Sequence, residues 1–214
     1  MDAPLKFTID LSSSLEVQRT KIEYTFLRAM QRVEAFASKN GWKELVRNPF
    51  IKHARIFDAK PEFHRYLEKL TGQLFDGNPP SGLSAVLENG EFLSVSPTLY
   101  LEIYPEANEP NAFEKLIAHE IIHRLHVRIL KGNEDAMGPV WFYEGFAILG
   151  AGQFEKITDE LSKSEILELI KSEKRRSYRK YAGVMLYILK RTSLLELVSR
   201  AKKPDFVSWL SDLI

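Results

Sequence analysis

Near the start of the chain, apolar residues recur every three or four positions, the spacing of an amphipathic helix. They are Ile22, Phe26, Met30, Val33 and Ala37. Residues 13–16 offer a capping box before this helix, and Asn40-Gly41 closes it. The stretch 50–57 has the composition of a strand, and a second helix opens at Pro61 and runs to Leu70. The first 70 residues therefore predict a helix, a strand and a second helix.

Strand patterns follow in the next 25 residues. The apolar stretches 83–87 and 92–95 flank Glu88-Asn89-Gly90-Glu91, and an Asn-Gly pair between two such stretches indicates a β-hairpin. Residues 99–104 alternate between apolar and other positions and predict a further strand. A small mixed or antiparallel sheet is expected in this part of the chain.

The second half of the chain is helical in pattern. Asn111, with Glu114 three positions later, predicts a helix that begins at residue 112. Apolar residues surround its axis on nearly all sides, which is typical of a buried helix. They are Phe113, Leu116, Ile117, Ile121, Ile122, Leu125, Ile129 and Leu130. The segment 131–133 should end this helix in a left-handed conformation, and Pro139 suits the first turn of the next one. Further helices are predicted at 141–150, 159–173, 178–191 and 204–213.

These elements predict an α+β fold whose N-terminal part combines the sheet with helices and whose C-terminal part is helical. With 214 residues, of which 44% are hydrophobic, the chain can bury a full core, and we expect one domain, 1–214. Within it, 1–110 would form an α/β lobe with a leading helix, and 111–214 a helical lobe.

The net charge, the lengths of the apolar runs and the first residues bear on which partners and which location we expect. The net charge of +1 gives no bias toward nucleic acid or membranes, and neither is an expected partner. No apolar run approaches the roughly 18 residues of a membrane span. Residues 1–4 lack the pattern of a secretory signal, so we expect a cytoplasmic protein, or else a mature form from which a signal was removed. The basic run 174–176, with Arg179 and Lys180, indicates a solvated helix junction or a contact with an acidic group or the C-terminal carboxylate of a substrate.

The buried helix carries the sequence His119-Glu120-Ile121-Ile122-His123. Side chains four apart lie on one helix face, about 6 Å apart along the axis, so both imidazoles can reach one tetrahedral metal ion. Glu120 is rotated about a quarter turn away, where it can reach a water on that ion but not the ion itself. Polar groups inside an apolar helix need partners. Metal binding therefore explains this pattern better than two core histidines that hydrogen-bond to their neighbours.

A third ligand is expected from the following helix. A short antiparallel hairpin brings Glu144 back to the level of the two histidines, which leaves one metal position open for water, as in catalytic zinc sites. The weaker alternatives are His126, which lies seven residues after His119, and the loop residues Glu134 and Asp135. His53 and His64 lie far upstream and are expected on the surface or in packing roles. Cysteine is absent, so thiolate ligands are excluded.

The pair HEIIH and WFYEGFA resembles the gluzincin metallopeptidases, which include thermolysin-like and aminopeptidase-N-like enzymes. The resemblance covers roughly residues 80–190 and implies a zincin-like fold with the active-site helix between the two lobes. It also implies a zinc ion held by His119, His123 and Glu144, with Glu120 as the general base that acts on a zinc-activated water. Peptides or proteins are then the substrates.

The resemblance extends to two further segments. Residues 177–189 resemble the "YxKGA" helix of the aminopeptidases, which implies a tyrosine that stabilises the oxyanion; Tyr181 is the first candidate and Tyr178 the second. Residues 85–89 distantly resemble the "GxMEN" motif, in which a glutamate, here Glu88, anchors a free N-terminus. A plain turn is the preferred interpretation of these residues, and it favours an endopeptidase over an aminopeptidase. In gluzincins an edge strand pairs with the substrate backbone, and one of the predicted strands is the candidate.

The predicted function is therefore a zinc-dependent metallopeptidase. The alternative is an inactive or latent zincin-fold protein that binds zinc and a peptide or protein partner. In the latent form the C-terminal segment 206–214 would cover the cleft.

Overall fold

The computed structural model describes residues 5–72, 82–155, 161–172 and 177–214. The strands are β1 (Thr8–Leu11), β2 (His53–Phe57), β3 (Ala85–Glu88) and β4 (Glu91–Val95). The α-helices are α1 (Arg19–Lys39), α2 (Lys60–Thr71), α3 (Pro97–Ile103), α4 (Ala112–Ile129), α5 (Val140–Ala151), α6 (Lys163–Lys171), α7 (Tyr178–Leu189), α8 (Leu194–Arg200) and α9 (Phe206–Leu213). Short 3-10 turns lie at Ser13–Gln18, Lys43–Val46, Pro105–Ala107 and Glu134–Ala136. The fold is α+β, as predicted. Among the described helices, none is long and apolar enough to cross a membrane.

The four strands form one mixed sheet with the order β1-β2-β4-β3. β1, β2 and β4 run parallel, and β3 pairs antiparallel with β4 in the predicted hairpin. Asn89 and Gly90 have φ angles of 53° and 87°, and two successive positive φ angles are typical of the tight turn that matches the twist of a hairpin. β3 lies at an edge of this sheet and contacts α4.

Residues 99–104 were expected to form a strand, and this prediction is wrong, because residues 99–103 belong to α3 and Tyr104 follows its end. The Ser96 hydroxyl caps the helix by accepting a hydrogen bond from the Leu99 backbone N–H at 3.3 Å, and Pro97 occupies the first turn. Cap and proline together favour a helix, and they outweigh the alternation of apolar residues that indicated a strand. The second strand is also shorter than predicted, and α8 was not predicted from the sequence.

The start of α4 is correct to the residue, but its cap differs from the prediction. Asn111 adopts a left-handed conformation with φ of 61° and its side chain makes no capping hydrogen bond. Glu114 instead turns to α1, where its Oε1 accepts a hydrogen bond from Arg32 Nη2 at 2.7 Å. The end of α4 is left-handed as expected, with φ of 56° at Lys131 and 86° at Gly132.

α4 is buried because α1, α5 and β3 pack around it. α5 approaches α4 closely at Gly150, where an added Cβ would lie 2.8 Å from the Ile122 Cδ1 atom. On its other side α5 contacts α7, and Gly145 makes a similar close approach to Met185. Small residues on α5 thus let three helices lie side by side, which places Glu144 opposite the histidines of α4.

Candidate metal centre

Three side chains from α4 and α5 converge on one point. His119 and His123 lie one turn apart on α4, and their Nε2 atoms are 3.0 Å apart. Glu144, on α5, places its Oε2 atom 3.2 Å from His119 Nε2 and 3.5 Å from His123 Nε2. The helical hairpin predicted from the sequence therefore brings these three residues together.

The spacing of these three atoms fits a metal ion. Ligand atoms about 2.1 Å from a tetrahedral zinc ion lie about 3.4 Å from one another, close to the three separations observed here. If both imidazoles are neutral and present their lone pairs to this point, they and the carboxylate oxygen repel one another unless a cation lies among them. This buried group could hold a metal ion.

The electrostatics of the group also favour a cation. Glu144 is only 2% exposed. Burial raises its pKa, but the hydrogen bonds and charges of His119 and His123 outweigh burial and hold the pKa well below its usual range. Burial lowers the pKa of His119, and Glu144 reverses this effect, so that the pKa rises. The pKa of His123 is lowered, mainly by burial. Positive charge beside this buried carboxylate thus favours its ionised form, and a metal ion would supply such charge.

Gln153, which follows the end of α5, was missed in the sequence. Its Oε1 atom lies 2.8 Å from His119 Nδ1, and because an amide oxygen only accepts, Nδ1 carries the proton. The Nε2 lone pair of His119 then faces Glu144 and His123. The sequence did hold a sign that Gln153 has a specific role. It is the only polar side chain in the stretch 145–154, and it directly follows a glycine suited to end a helix.

A cavity of about 750 Å³ opens beside these three side chains. The edge strand β3 forms part of one wall, and Tyr100, Tyr104, Tyr143 and Tyr178 also line the cavity. Glu120 lines it as well but is not part of the ligand group, as its position on the helix predicted. A carboxylate beside a candidate metal position, in a cavity with an accessible edge strand, is an arrangement suited to hydrolysis.

The two candidate tyrosines occupy different environments. Tyr178 lines the cavity, and its ring stacks on the His119 ring with centroids 5.8 Å apart and 30° between the planes. Tyr181 is 1% exposed and packs in the core, and it is not among the described residues that line the cavity. Tyr178 is therefore the candidate that lies at the cavity: the two tyrosines are three residues apart on α7, about 60° apart around the helix axis, with Tyr178 toward the cavity and Tyr181 toward the core.

The alternative ligands lie outside the group. His126 is buried against Phe146, with ring centroids 4.3 Å apart. Glu134 pairs with Arg124 at 2.9 Å, and Asp135 is exposed in the same short turn. On the sheet, His53 lies between Asp10 and Glu91, and on α2 His64 lies beside Phe63. Among the described residues, only His119, His123 and Glu144 form a metal-ligand group.

Three further features predicted from the sequence are the Glu88 anchor, the C-terminal cover and the basic run. Glu88 lines the cavity at the end of β3, where its Oε2 atom is 3.4 Å from Arg124 Nη1. The segment 206–214 does not contribute to the described cavity lining; Phe206 stacks on Trp141, with ring centroids 6.0 Å apart. The basic run 174–176 lies outside the described residues.

His126 leads to a prediction about acid stability. Both of its ring nitrogens are buried and have no hydrogen-bond partner. Burial, aided by His123, lowers its pKa from 6.5 to about 3. Between these two pH values the imidazole is protonated in the unfolded chain but neutral in the folded one. The free energy of unfolding therefore carries no penalty from His126 above pH 6.5, and it decreases as the pH falls from 6.5 toward 3.

His126→Leu should therefore reduce the loss of stability on acidification. Between pH 7 and pH 5 the metal-free variant is expected to lose about 2 kcal/mol less than the metal-free wild type, measured by urea unfolding at both pH values. At pH 7 it should be at least as stable, because it removes two unsatisfied buried nitrogens. Equal losses in the two proteins would contradict this account of His126.

No protein-family model, curated protein or solved structure matches this chain. The function of the candidate metal centre must therefore be inferred from its side chains and their geometry.

Proposed function

We propose that this chain is a zinc metallopeptidase of the gluzincin type with a zincin-like fold. His119, His123 and Glu144 would hold the zinc ion, and Glu120 would act as the general base. The observation that carries this proposal is the convergence of two Nε2 atoms and one carboxylate oxygen, all within 3.5 Å of one another, beside a cavity that Glu120 also lines.

The donor set supports zinc as the metal. Two imidazole nitrogens and one carboxylate oxygen are the three protein ligands found in catalytic zinc sites of the thermolysin and carboxypeptidase A types. When bound, zinc lowers the pKa of water toward neutrality and polarises a carbonyl group.

Glu120 supplies the proton transfers. It neighbours His119 on α4 and lines the cavity, so its carboxylate is placed to accept a proton from the attacking water. The same carboxyl group then delivers this proton to the amine that leaves when the peptide bond breaks. Tyr178 also lines the cavity, and its hydroxyl is the candidate donor to the oxyanion that develops on the scissile carbonyl.

The cavity suits a peptide backbone. β3 pairs with β4 on one side only, and its residues Ala85–Glu88 line the cavity. An extended peptide can add to such an edge through main-chain hydrogen bonds. Arg124 compensates part of the charge of Glu88, the residue that would anchor a free N-terminus. Cleavage of internal peptide bonds is therefore the favoured form of the activity.

The proposal predicts cleavage that depends on zinc. Zinc-loaded protein incubated with a library of peptides, both N-acetylated and free, should cleave members of both sets. A chelator should stop the reaction, and added zinc should restore it. Mass spectrometry of the products gives the cleavage positions. A zinc-loaded protein that leaves the whole library intact would contradict the proposal and favour a zincin-fold binding protein.

A further inference from the structure

The chain takes an unusual path where α5 ends. Gly152 and Phe154 have φ angles of 65° and 57°, and Gln153 lies between them. Glycine adopts a positive φ without strain, but side chains such as phenylalanine rarely do. A conformation of this kind persists only where the surroundings impose it.

A partly buried ion pair holds the chain in this conformation. The Phe154 backbone N–H donates to both carboxylate oxygens of Glu109, at 3.1 and 3.3 Å. Glu109 is held in turn by Lys115 Nζ at 2.8 Å, and Lys115 is a buried residue of α4, one turn before His119. The helix that carries the two histidines therefore also fixes the backbone beside Gln153.

The result is a fixed Gln153 side chain. It is 7% exposed, and its Oε1 atom accepts the hydrogen bond from His119 Nδ1. The Tyr100 hydroxyl is hydrogen-bonded to the same side chain, and the Tyr100 ring is buried. The amide is thus held from two sides, by His119 and by Tyr100.

We propose that Gln153 is a positioning residue for the metal centre, which keeps His119 protonated at Nδ1 and aims its Nε2 lone pair at the metal. The inference rests on the metal site of the proposed function. Outer partners of this kind orient a histidine ligand and set its basicity. A neutral amide does this without adding a negative charge beside Glu144.

Two variants of Gln153 and one control test this role. Gln153→Leu removes the acceptor at similar volume, and Gln153→Glu keeps an acceptor oxygen. Gln31→Leu, at an exposed position of α1, is the matched control. The readouts are the zinc dissociation constant, from competition with a chromophoric chelator, and the visible spectrum of the Co²⁺-substituted protein. Neither requires peptide cleavage, so a failure here is distinguishable from a protein that binds zinc and hydrolyses nothing.

We expect Gln153→Leu to weaken zinc binding by about 10- to 100-fold and to change the Co²⁺ spectrum, because His119 loses its fixed orientation. Gln153→Glu should restore affinity to at least the wild-type value, and Gln31→Leu should leave both readouts unchanged. Wild-type affinity and spectrum in Gln153→Leu would overturn the inference. Weakening of equal size in Gln153→Glu would also overturn it, since that variant retains the acceptor.

Discussion

Replacement of Glu120 by glutamine is expected to reduce peptide hydrolysis by about 10²- to 10⁴-fold while one zinc ion per chain remains bound. The amide has the shape of the carboxylate but cannot accept a proton from the attacking water. Glu120 is not part of the ligand group, so its loss should leave the metal in place. Cleavage of a fluorogenic peptide gives kcat/KM, and elemental analysis gives the zinc content.

Glu34→Gln is the matched control for this prediction, because Glu34 is an exposed glutamate on α1, away from the cavity. It should keep wild-type kcat/KM and zinc content. If Glu120→Gln turned over peptide at the wild-type rate, the assignment of the general base would be wrong. If the Glu120→Gln protein lost both activity and zinc, Glu120 would contribute to metal binding and not only to proton transfer.

Replacement of Glu144 should instead remove the metal. Glu144→Gln keeps the volume of the buried side chain but loses the charge that faces two imidazoles, and Glu144→Ala removes the oxygen ligand altogether. We expect zinc affinity to fall by more than about 100-fold in Glu144→Ala, beyond the effect of losing an outer partner, and by a smaller factor in Glu144→Gln. Competition titration against a chelator measures both.

Glu134→Ala provides the comparison, because Glu134 was the other glutamate weighed as a third ligand and the structure places it in an ion pair with Arg124. Its zinc affinity should equal that of the wild type. Unchanged zinc binding in Glu144→Ala, or a large loss in Glu134→Ala, would move the ligand role away from α5.

Features encoded by neighbouring residues were predictable from the sequence. The hairpin around Asn89-Gly90 and the left-handed end of α4 follow from turn chemistry, and both are present. The approach of Glu144 to His119 and His123 followed from two helix lengths and a short connection. In each case a local rule and a few helical dimensions were sufficient.

Features decided by distant residues were not predictable. The helix Pro97–Ile103 is an exception, because the Ser96 cap and Pro97 are local signals that outweigh the alternation of apolar residues. Glu114 looked like a capping residue, but Arg32 of α1 binds it instead. Gln153 reaches His119 because Glu109 holds the next backbone N–H, a contact across 45 residues of chain. Tertiary contacts of this kind override local preference.

The central claim is that one metal ion joins α4 and α5. Crystals of the zinc-loaded protein, measured at wavelengths on both sides of the zinc absorption edge, test it most directly. A metal ion shared by the two helices should give a single anomalous peak about 2.1 Å from His119 Nε2, His123 Nε2 and a carboxylate oxygen of Glu144. A peak at other residues, or a Glu144 carboxylate several ångströms from both imidazoles with no ion between them, would contradict it.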